Sequence, residues 1–406
     1  MINIIGLGYI GLPTALMFAA AGNQVIGTDI NESHIKDLEH GILYFKEKGM
    51  EELFAKAKLN GIIFSNKPVK SDVYIITVPT PYINETKKVD ITYVLKAIES
   101  VLKVAKKGST LVIESTISPG SIDSHVRPYL EKQGINIGKD LHLVHAPERI
   151  LPGNMIYELE HNARTIGADD YIVAAKIKKL YESFCKAEIV ITDIKSAEMS
   201  KVIENTFRDI NIAFANELAI ICREAGLDVY EIIKIANKHP RVNILQPGPG
   251  VGGHCISVDP WFLIGDYPEL TKLINVAREV NDEMPYYVFN RIEEIMRENN
   301  IEKVSEVGLY GLSYKENVDD TRESPTLQLL EVFRKKIGEE PIVYDPFIEK
   351  KITKKQVCDL STFVSNIKII VIMVAHKQLS DAVELIKDKI IFDTRNVIKL
   401  KGTYRL

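Results

Sequence analysis

Cysteine is scarce in this sequence: four in 406 residues, at Cys185, Cys222, Cys255 and Cys358, with no Cys-x-x-Cys pair and no Cys/His cluster of metal-binding spacing. The scarcity excludes a disulfide scaffold, predicts no metal centre, and points to a reducing compartment, the cytoplasm. Long apolar runs are missing too. The longest, Ala15–Ala21 and Ile369–Ala375, hold seven residues each, against about 20 for a membrane-spanning helix. No membrane segment is expected, and Met-Ile-Asn-Ile-Ile-Gly at the start lacks the basic region of a signal peptide. Neither sign of charge dominates: 51 Lys and Arg face 55 Asp and Glu, a net charge of −4. No broad basic field is available for a nucleic-acid backbone. The rest is ordinary folded-protein composition, 46% apolar and 26% charged, which rules out a disordered chain, and the length predicts two or three domains.

Short β-branched runs alternate with helical patterns over residues 1–190, the signature of a parallel α/β sheet. Ile2–Ile5, Gln24–Thr28, Val73–Val78, Thr110–Glu114 and Leu141–His145 read as strands, Pro13–Ala21 and Val94–Lys103 as helices. Between Ser196 and Ala225 no Gly or Pro interrupts, and apolar residues recur mostly at spacings of three and four. This predicts one helix about 45 Å long, stopped by Gly226. More helix is expected at Asp228–Lys238, Pro268–Asn281 and Pro285–Met296. A second α/β unit starts near Val304. Val304–Tyr310 reads as a strand before Gly311, Pro325 as a helix start, and Pro341–Tyr344 as a strand ending at Asp345. "SDVYIITVPT" near residue 71 is echoed by "SNIKIIVIMVAH" near 365, and "TLVIEST" near 110 by "KIIFDTRN" near 389. The expected fold is α/β: two Rossmann-like doubly wound parallel-sheet domains, 1–195 and 301–406, joined by a helical central domain, 196–300, with one long helix.

Gly6-Leu7-Gly8-Tyr9-Ile10-Gly11 follows the first strand and opens a helix. Gly6 permits the tight turn, Gly8 lets backbone approach a pyrophosphate, and Gly11 lets helix and strand pack closely. The pyrophosphate rests on the helix N-terminus, where N–H groups and the dipole favour anions. Asp29 ends the next strand. A carboxylate there accepts ribose hydroxyls and repels a 2′-phosphate, so NAD is expected rather than NADP. Thr80 and Thr116 stand just beyond strand ends, where ligands bind such sheets. On local grounds each is as much a turn hydroxyl as a cofactor contact.

Lys201, Asn205 and Arg208 share one face of the long helix. A Lys and an Asn amide can donate to a developing oxyanion; a solvated polar face is the alternative. From Gln246 to Cys255, six of ten residues are Gly or Pro. Such a loop exposes backbone N–H groups and brings the chain close to a ligand. Cys255 stands beside His254 and four residues before Asp259, and exposed N–H groups would favour its thiolate. The alternative is a buried cysteine in a turn. The other three cysteines sit in helical or apolar contexts and read as packing. NAD with a nucleophilic thiol is the equipment for oxidising an aldehyde to an acid through a thiohemiacetal and a thioester. If the same site first oxidises an alcohol, the reaction removes four electrons and uses two NAD.

"GLGYIGLPTA", "APERILPGNMIYEL", "AEMSKVIENTFRDINIAFANELA", "HPRVNILQPGPGVGGHCISVDPWFL" and "GLSYKENVDDTRESP" together resemble the UDP-glucose/GDP-mannose dehydrogenase family of nucleotide-sugar 6-dehydrogenases over nearly the whole chain. The resemblance implies a UDP-sugar substrate, NAD, and a homodimer or dimer-based oligomer. It implies that Cys255 is the nucleophile, that Lys201 and Asn205 handle the oxyanion and proton, and that Asp259 assists the thiol or the hydrolytic water. By the same resemblance Glu148 is the acid/base near that water and Thr116 lies near the nicotinamide. Tyr9, Ile10, Asp29 and Thr80 match NAD contacts, beside the glycines, and Arg322 a residue reaching towards NAD. Arg149, Ile150, Arg208, His239, Arg241, Gly252, Tyr314 and Lys315 match substrate contacts, with Glu148, Lys201 and Asn205 among them. Pro-Glu-Arg-Ile-Leu-Pro-Gly and His-Pro-Arg-Val-Asn-Ile resemble the family's N-acetylmannosamine enzymes more than its glucose enzymes. The stretch after Asp29, Ile-Asn-Glu-Ser-His, lacks the basic residue often found there.

Overall fold

The first strand, β1 (Ile2–Ile5), is buried along its whole length, as an apolar run without alternation requires of a strand covered on both faces. In the computed structural model, which describes residues 1–45, 47–381 and 383–406, seven more strands join it: β2 (Val25–Thr28), β3 (Ile63–Ser65), β4 (Val73–Ile76), β5 (Ser109–Ile113), β6 (Leu141–His145), β7 (Arg164–Ala168) and β8 (Ile189–Thr192). Their order is β3-β2-β1-β4-β5-β6-β7-β8. From β3 to β6 all neighbours are parallel. This is the nucleotide-binding order, with its switch point between β1 and β4. The short strands β3, β7 and β8 went unforeseen. β7 runs antiparallel to β6, pairing Val144 with Ala168 and His145 with Gly167. That reversal brings Arg164, the first residue of β7, to the sheet edge where β5 and β6 end.

A second sheet holds β9 (Val307–Tyr310), β10 (Ile342–Tyr344), β11 (Ile369–Ile372), β12 (Ile390–Asp393) and β13 (Tyr404–Arg405). Its order is β10-β9-β11-β12-β13, all parallel. The strand expected from Val304 starts at Val307, because Val304–Glu306 form a 3-10 turn. Pro325 opens the helix Pro325–Lys336, capped by the Ser324 side chain. The internal echo is structural. Gly311 (φ 100°) follows β9 as Gly6 (φ 96°) follows β1. Leu312 N–H donates to Asp345 Oδ2 at 2.6 Å, as Leu7 N–H donates to Asp29 Oδ2 at 2.7 Å. The fold is thus α/β with two nucleotide-binding-type sheets.

The long helix spans Ile194–Glu224, 31 residues. Gly226 (φ 70°) stops it, and Leu227 N–H reaches back to the Cys222 carbonyl at 2.7 Å, closing the last turn. The two helices expected at Pro268–Asn281 and Pro285–Met296 are one, Lys272–Glu298, with Pro285 inside. Proline removes one N–H and crowds the carbonyl of Asn281. Packing overrides that cost: Met284, Val288, Phe289 and Ile292 are buried, and the Asn281 side chain is clamped by Asp209 and Asn216.

By density of contacts the chain divides into a first unit, Met1–Glu204 with Trp261–Tyr267, and a second, Asn205–Pro260 with Pro268–Leu406. Among the described residues no helix is long and apolar enough to cross a membrane.

Candidate active site

In the first unit the glycine turn sits at the ends of β1 and β2. A Cβ on Gly11 would lie 1.8 Å from the Gly6 carbonyl oxygen, whereas one on Gly8 meets no atom of the described residues within 4 Å. Gly11 is therefore glycine for packing, and Gly8 leaves an open approach to the backbone. Asp29 accepts from Leu7 N–H with Oδ2 at 2.7 Å and from Asn31 N–H with Oδ1 at 2.8 Å. Each oxygen keeps a second lone pair for a ribose hydroxyl. Tyr9 and Ile10 are half-buried, Tyr9 against the Phe45 ring at 4.6 Å. The Tyr44 hydroxyl donates to the Leu7 carbonyl, and burial, then Asp29, pushes that phenol up. These residues fit a dinucleotide: open backbone at Gly8, a helix N-terminus behind it, and a carboxylate at the next strand end.

Thr80 Oγ1 donates to the Thr116 carbonyl at 2.5 Å, tying the loops after β4 and β5 together. The second of those loops is held again by Glu198 of the long helix, which accepts from Gly120 N–H at 2.5 Å and Ile122 N–H at 2.9 Å. Burial pushes the Glu198 carboxyl up to about 7 against those two bonds. Glu148 follows β6 and is 6% exposed. Its Oε1 accepts from Arg149 N–H at 2.7 Å, and its Oε2 accepts from Arg164. The Arg149 guanidinium meets the Ala163 carbonyl at 2.7 Å, Thr165 at 2.9 Å and Glu204 at 2.7 Å. Ile150 is buried in the first core. Lys201 is 5% exposed, one helical turn before Glu204 and Asn205.

In the second unit Asn205 is fully buried, and its amide is oriented from both sides. Arg208 donates to Asn205 Oδ1, and Asn205 Nδ2 donates to Asp259 Oδ2. Asp259 opens the helix Asp259–Asp266, and its N–H donates to the Cys255 carbonyl at 2.8 Å. Cys255 and Asp259 thus occupy successive turns, with the thiol half-buried and the carboxylate 3% exposed. Burial, then Arg322, lowers His254, so its imidazole favours the neutral form; Asp320 opposes.

The glycines before Cys255 face protein rather than open space. A Cβ on Gly248 would strike Arg395 at 2.6 Å, on Gly252 the Glu323 carbonyl at 2.6 Å, and on Gly253 the Tyr314 ring at 2.7 Å. The loop is glycine-rich because neighbouring chain presses on it. Gly253 N–H donates to the Arg322 carbonyl at 3.0 Å, and Gly248 N–H to Asn216 Oδ1 at 2.9 Å. Tyr314 is pushed up by burial. Arg322 pairs with Asp320, at 2.6 Å for Nη2, and Lys315 is half-buried on the same loop. That loop is fastened by His376, whose Nδ1 accepts from Asn317 N–H at 2.9 Å and whose Nε2 lies 3.2 Å from Asp345. His239 and Arg241 are exposed in the turn after Val229–Ala236.

Sequence reasoning missed Glu114, Arg164, Asn216 and His376. For two of them a signal existed: Glu114 sits at the end of a buried strand two residues before Thr116, and Asn216 is a polar residue on the apolar face of the long helix.

Residues 1–185 match the NAD binding domain, 195–283 the central domain and 308–400 the UDP binding domain of the UDP-glucose/GDP-mannose dehydrogenase family. A UDP-N-acetyl-D-mannosamine dehydrogenase of Methanocaldococcus jannaschii is 43% identical over 408 residues, 98% of this chain and 92% of its own length. The enzyme of the same name from Escherichia coli K12 is 40% identical over 394 residues, 93% and 94% of the two chains. The solved structure of a UDP-D-ManNAc dehydrogenase from Pyrococcus horikoshii matches with a TM-score of 0.91 at 38% identity, covering 100% of this chain and 98% of that one.

Proposed function

This chain belongs to the UDP-glucose/GDP-mannose dehydrogenase family and is an NAD-dependent UDP-sugar dehydrogenase, and we propose that it oxidises C6 of UDP-N-acetyl-D-mannosamine to the uronate by way of a covalent bond to Cys255. The observation that carries the reading is the Asp259–Asn205–Arg208 hydrogen-bonded row with Cys255 one turn away. NAD, held by Gly6, Gly8, Tyr9, Ile10, Gly11, Asp29, Thr80, Thr116 and Arg322, supplies the hydride acceptor for both oxidations. Asn205 has two amide hydrogens. One is given to Asp259, and the other, with Lys201, serves the oxyanion that forms when the Cys255 thiolate adds to the aldehyde carbon. After the second oxidation the carbon is a thioester. Glu148 takes a proton from the attacking water, and the C–S electrons return to Cys255 as thiolate.

The sugar nucleotide is assigned to Arg149, Ile150, Arg208, His239, Arg241, Gly252, Tyr314 and Lys315. We assign NAD to residues 1–195, the helical connection to 196–300 and the UDP-sugar to 301–406. A cytoplasmic homodimer completes the proposal. Its support is a stripe of Phe207, Phe214 and Ile221 on the long helix, at seven-residue spacing and 62%, 50% and 55% exposed.

The test is NADH production across a panel of UDP-sugars. Two NADH per UDP-N-acetyl-D-mannosamine, with much lower kcat/KM for UDP-glucose, is expected. One NADH per sugar would sink the covalent mechanism, and preference for another UDP-sugar would sink the substrate assignment alone.

A further inference from the structure

Behind Glu148 lies a buried cluster that the chemistry above does not use. Glu114 is 1% exposed, Arg164 3% and Tyr181 0%. The Tyr181 hydroxyl donates to Glu114 Oε2 at 2.8 Å, and Thr14 Oγ1 lies 3.5 Å from Glu114 Oε1. Arg164 Nη2 donates to Glu148 Oε2, while its Nη1 stands 3.7 Å from Glu114 Oε1. The guanidinium packs 4.5 Å over the Tyr181 ring and 5.5 Å from that of Phe184. Glu148 and Glu114 thus lie against the two Nη atoms of the same guanidinium. One guanidinium therefore faces two carboxyls in a dry pocket. Two full negative charges there would be costly, and burial favours the protonated form of Glu114.

We propose that Glu148 works as half of a carboxyl pair: Glu114 holds a proton behind it, Arg164 orients it, and departure of the Glu114 proton brings thioester hydrolysis to full rate. The inference rests on Glu148 being the base of the hydrolytic step. When water attacks, its oxygen bonds to the thioester carbon, its proton goes to a Glu148 oxygen, and the C–S pair leaves on the Cys255 sulfur. With Glu114 protonated, this step takes the cluster from neutral to a net positive charge. With Glu114 ionised, it takes it from net negative to neutral, which a low-dielectric pocket favours. Glu114 is thus a positioning residue that tunes Glu148. The groups facing it are Glu148, Arg164 and Tyr181, with Cys185 beside the guanidinium. Burial pushes Glu114 well above the ordinary carboxylate range; Arg164 and Tyr181 pull it back, and Glu148 adds to the rise. Arg164 stays charged although burial opposes it, because Glu148 and Glu114 hold it so.

The experiment follows the Cys255-linked thioester in quenched reactions by intact-protein mass spectrometry, from mildly acidic to alkaline pH. In the wild type its decay should quicken through an inflection well above the carboxylate range. Glu114→Gln keeps the volume and a fixed neutral donor, so the inflection should vanish and the slow limb persist. Tyr181→Phe removes a bond that favours the carboxylate, so the inflection should move to higher pH. Superimposable profiles for the wild type and Glu114→Gln, or an inflection unmoved in Tyr181→Phe, would overturn the proposal. Glu148→Gln separates it from the underlying reading. Slow decay in that variant upholds Glu148 as the base, and decay at the wild-type rate removes Glu148 from hydrolysis and the pair with it.

Discussion

A methyl group added at Gly11 would lie 1.8 Å from the Gly6 carbonyl oxygen and 2.4 Å from Thr77 Oγ1, whereas the same methyl at Gly8 meets nothing among the described residues within 4 Å. Gly11→Ala should therefore cost about 3 kcal/mol of stability, read as a lower unfolding midpoint. Gly8→Ala should unfold like the wild type yet bind NAD at least about tenfold more weakly, a loss of about 1.4 kcal/mol, read by fluorescence titration. Unchanged NAD affinity in Gly8→Ala would remove the pyrophosphate from that turn. The glycine spacing and Asp29 were legible in the sequence because dinucleotide turns need fixed residue types at fixed offsets. The role of Asp29 as acceptor for its own loop was not, since it depends on where Leu7 and Asn31 fall in space. The meeting of Glu114 with Arg164 was illegible for a plainer reason. They meet through the pairing of strands, and no local pattern announces that residue 164 stands beside residue 148.

At the scale of elements, the long helix does more than span. Asn216 accepts from Gly248 N–H at 2.9 Å and donates to Asn281 at 2.9 Å. Asn211 accepts from Leu245 N–H at 2.9 Å. Behind them Arg278, 1% exposed, donates to Asp209 at 2.5 Å, and burial pushes Asp209 up to about 6 despite that partner. The approach to Cys255 is thus hung from one helix, at Asn211 and Asn216. Asn216→Ala leaves a buried N–H and an amide oxygen unsatisfied, which costs about 1–3 kcal/mol. It should lower turnover while leaving the NAD dissociation constant unchanged, and equal losses in both would show a general loss of structure instead. The helix itself was plain from thirty uninterrupted residues, and so was its stop at Gly226. The reversal of β7 was hidden because a strand's direction follows from its connections, and the continuity through Pro285 because packing decided it.

For the whole molecule, the stripe of Phe207, Phe214 and Ile221 yields a prediction about assembly. Phe207→Glu combined with Phe214→Glu should halve the mass seen by light scattering, and a variant that keeps the wild-type mass would clear the stripe of any role in assembly. The two sheets were legible from their echoing segments, whereas the membership of Trp261–Tyr267 in the first unit was not, since it rests on contacts far apart in sequence. Ser118 donates to Asp266, Lys87 Nζ lies 4.3 Å over the Trp261 ring, and Gly265 leaves no room for a side chain against the Lys87 backbone. Because the chain reaches those seven residues only after passing through 205–260, no single cut divides it into two self-sufficient fragments. A piece ending at Glu204 leaves Ser118 and Lys87 without these partners. On the ribosome, where domains fold as they emerge, the first unit waits for Tyr267 before it is whole.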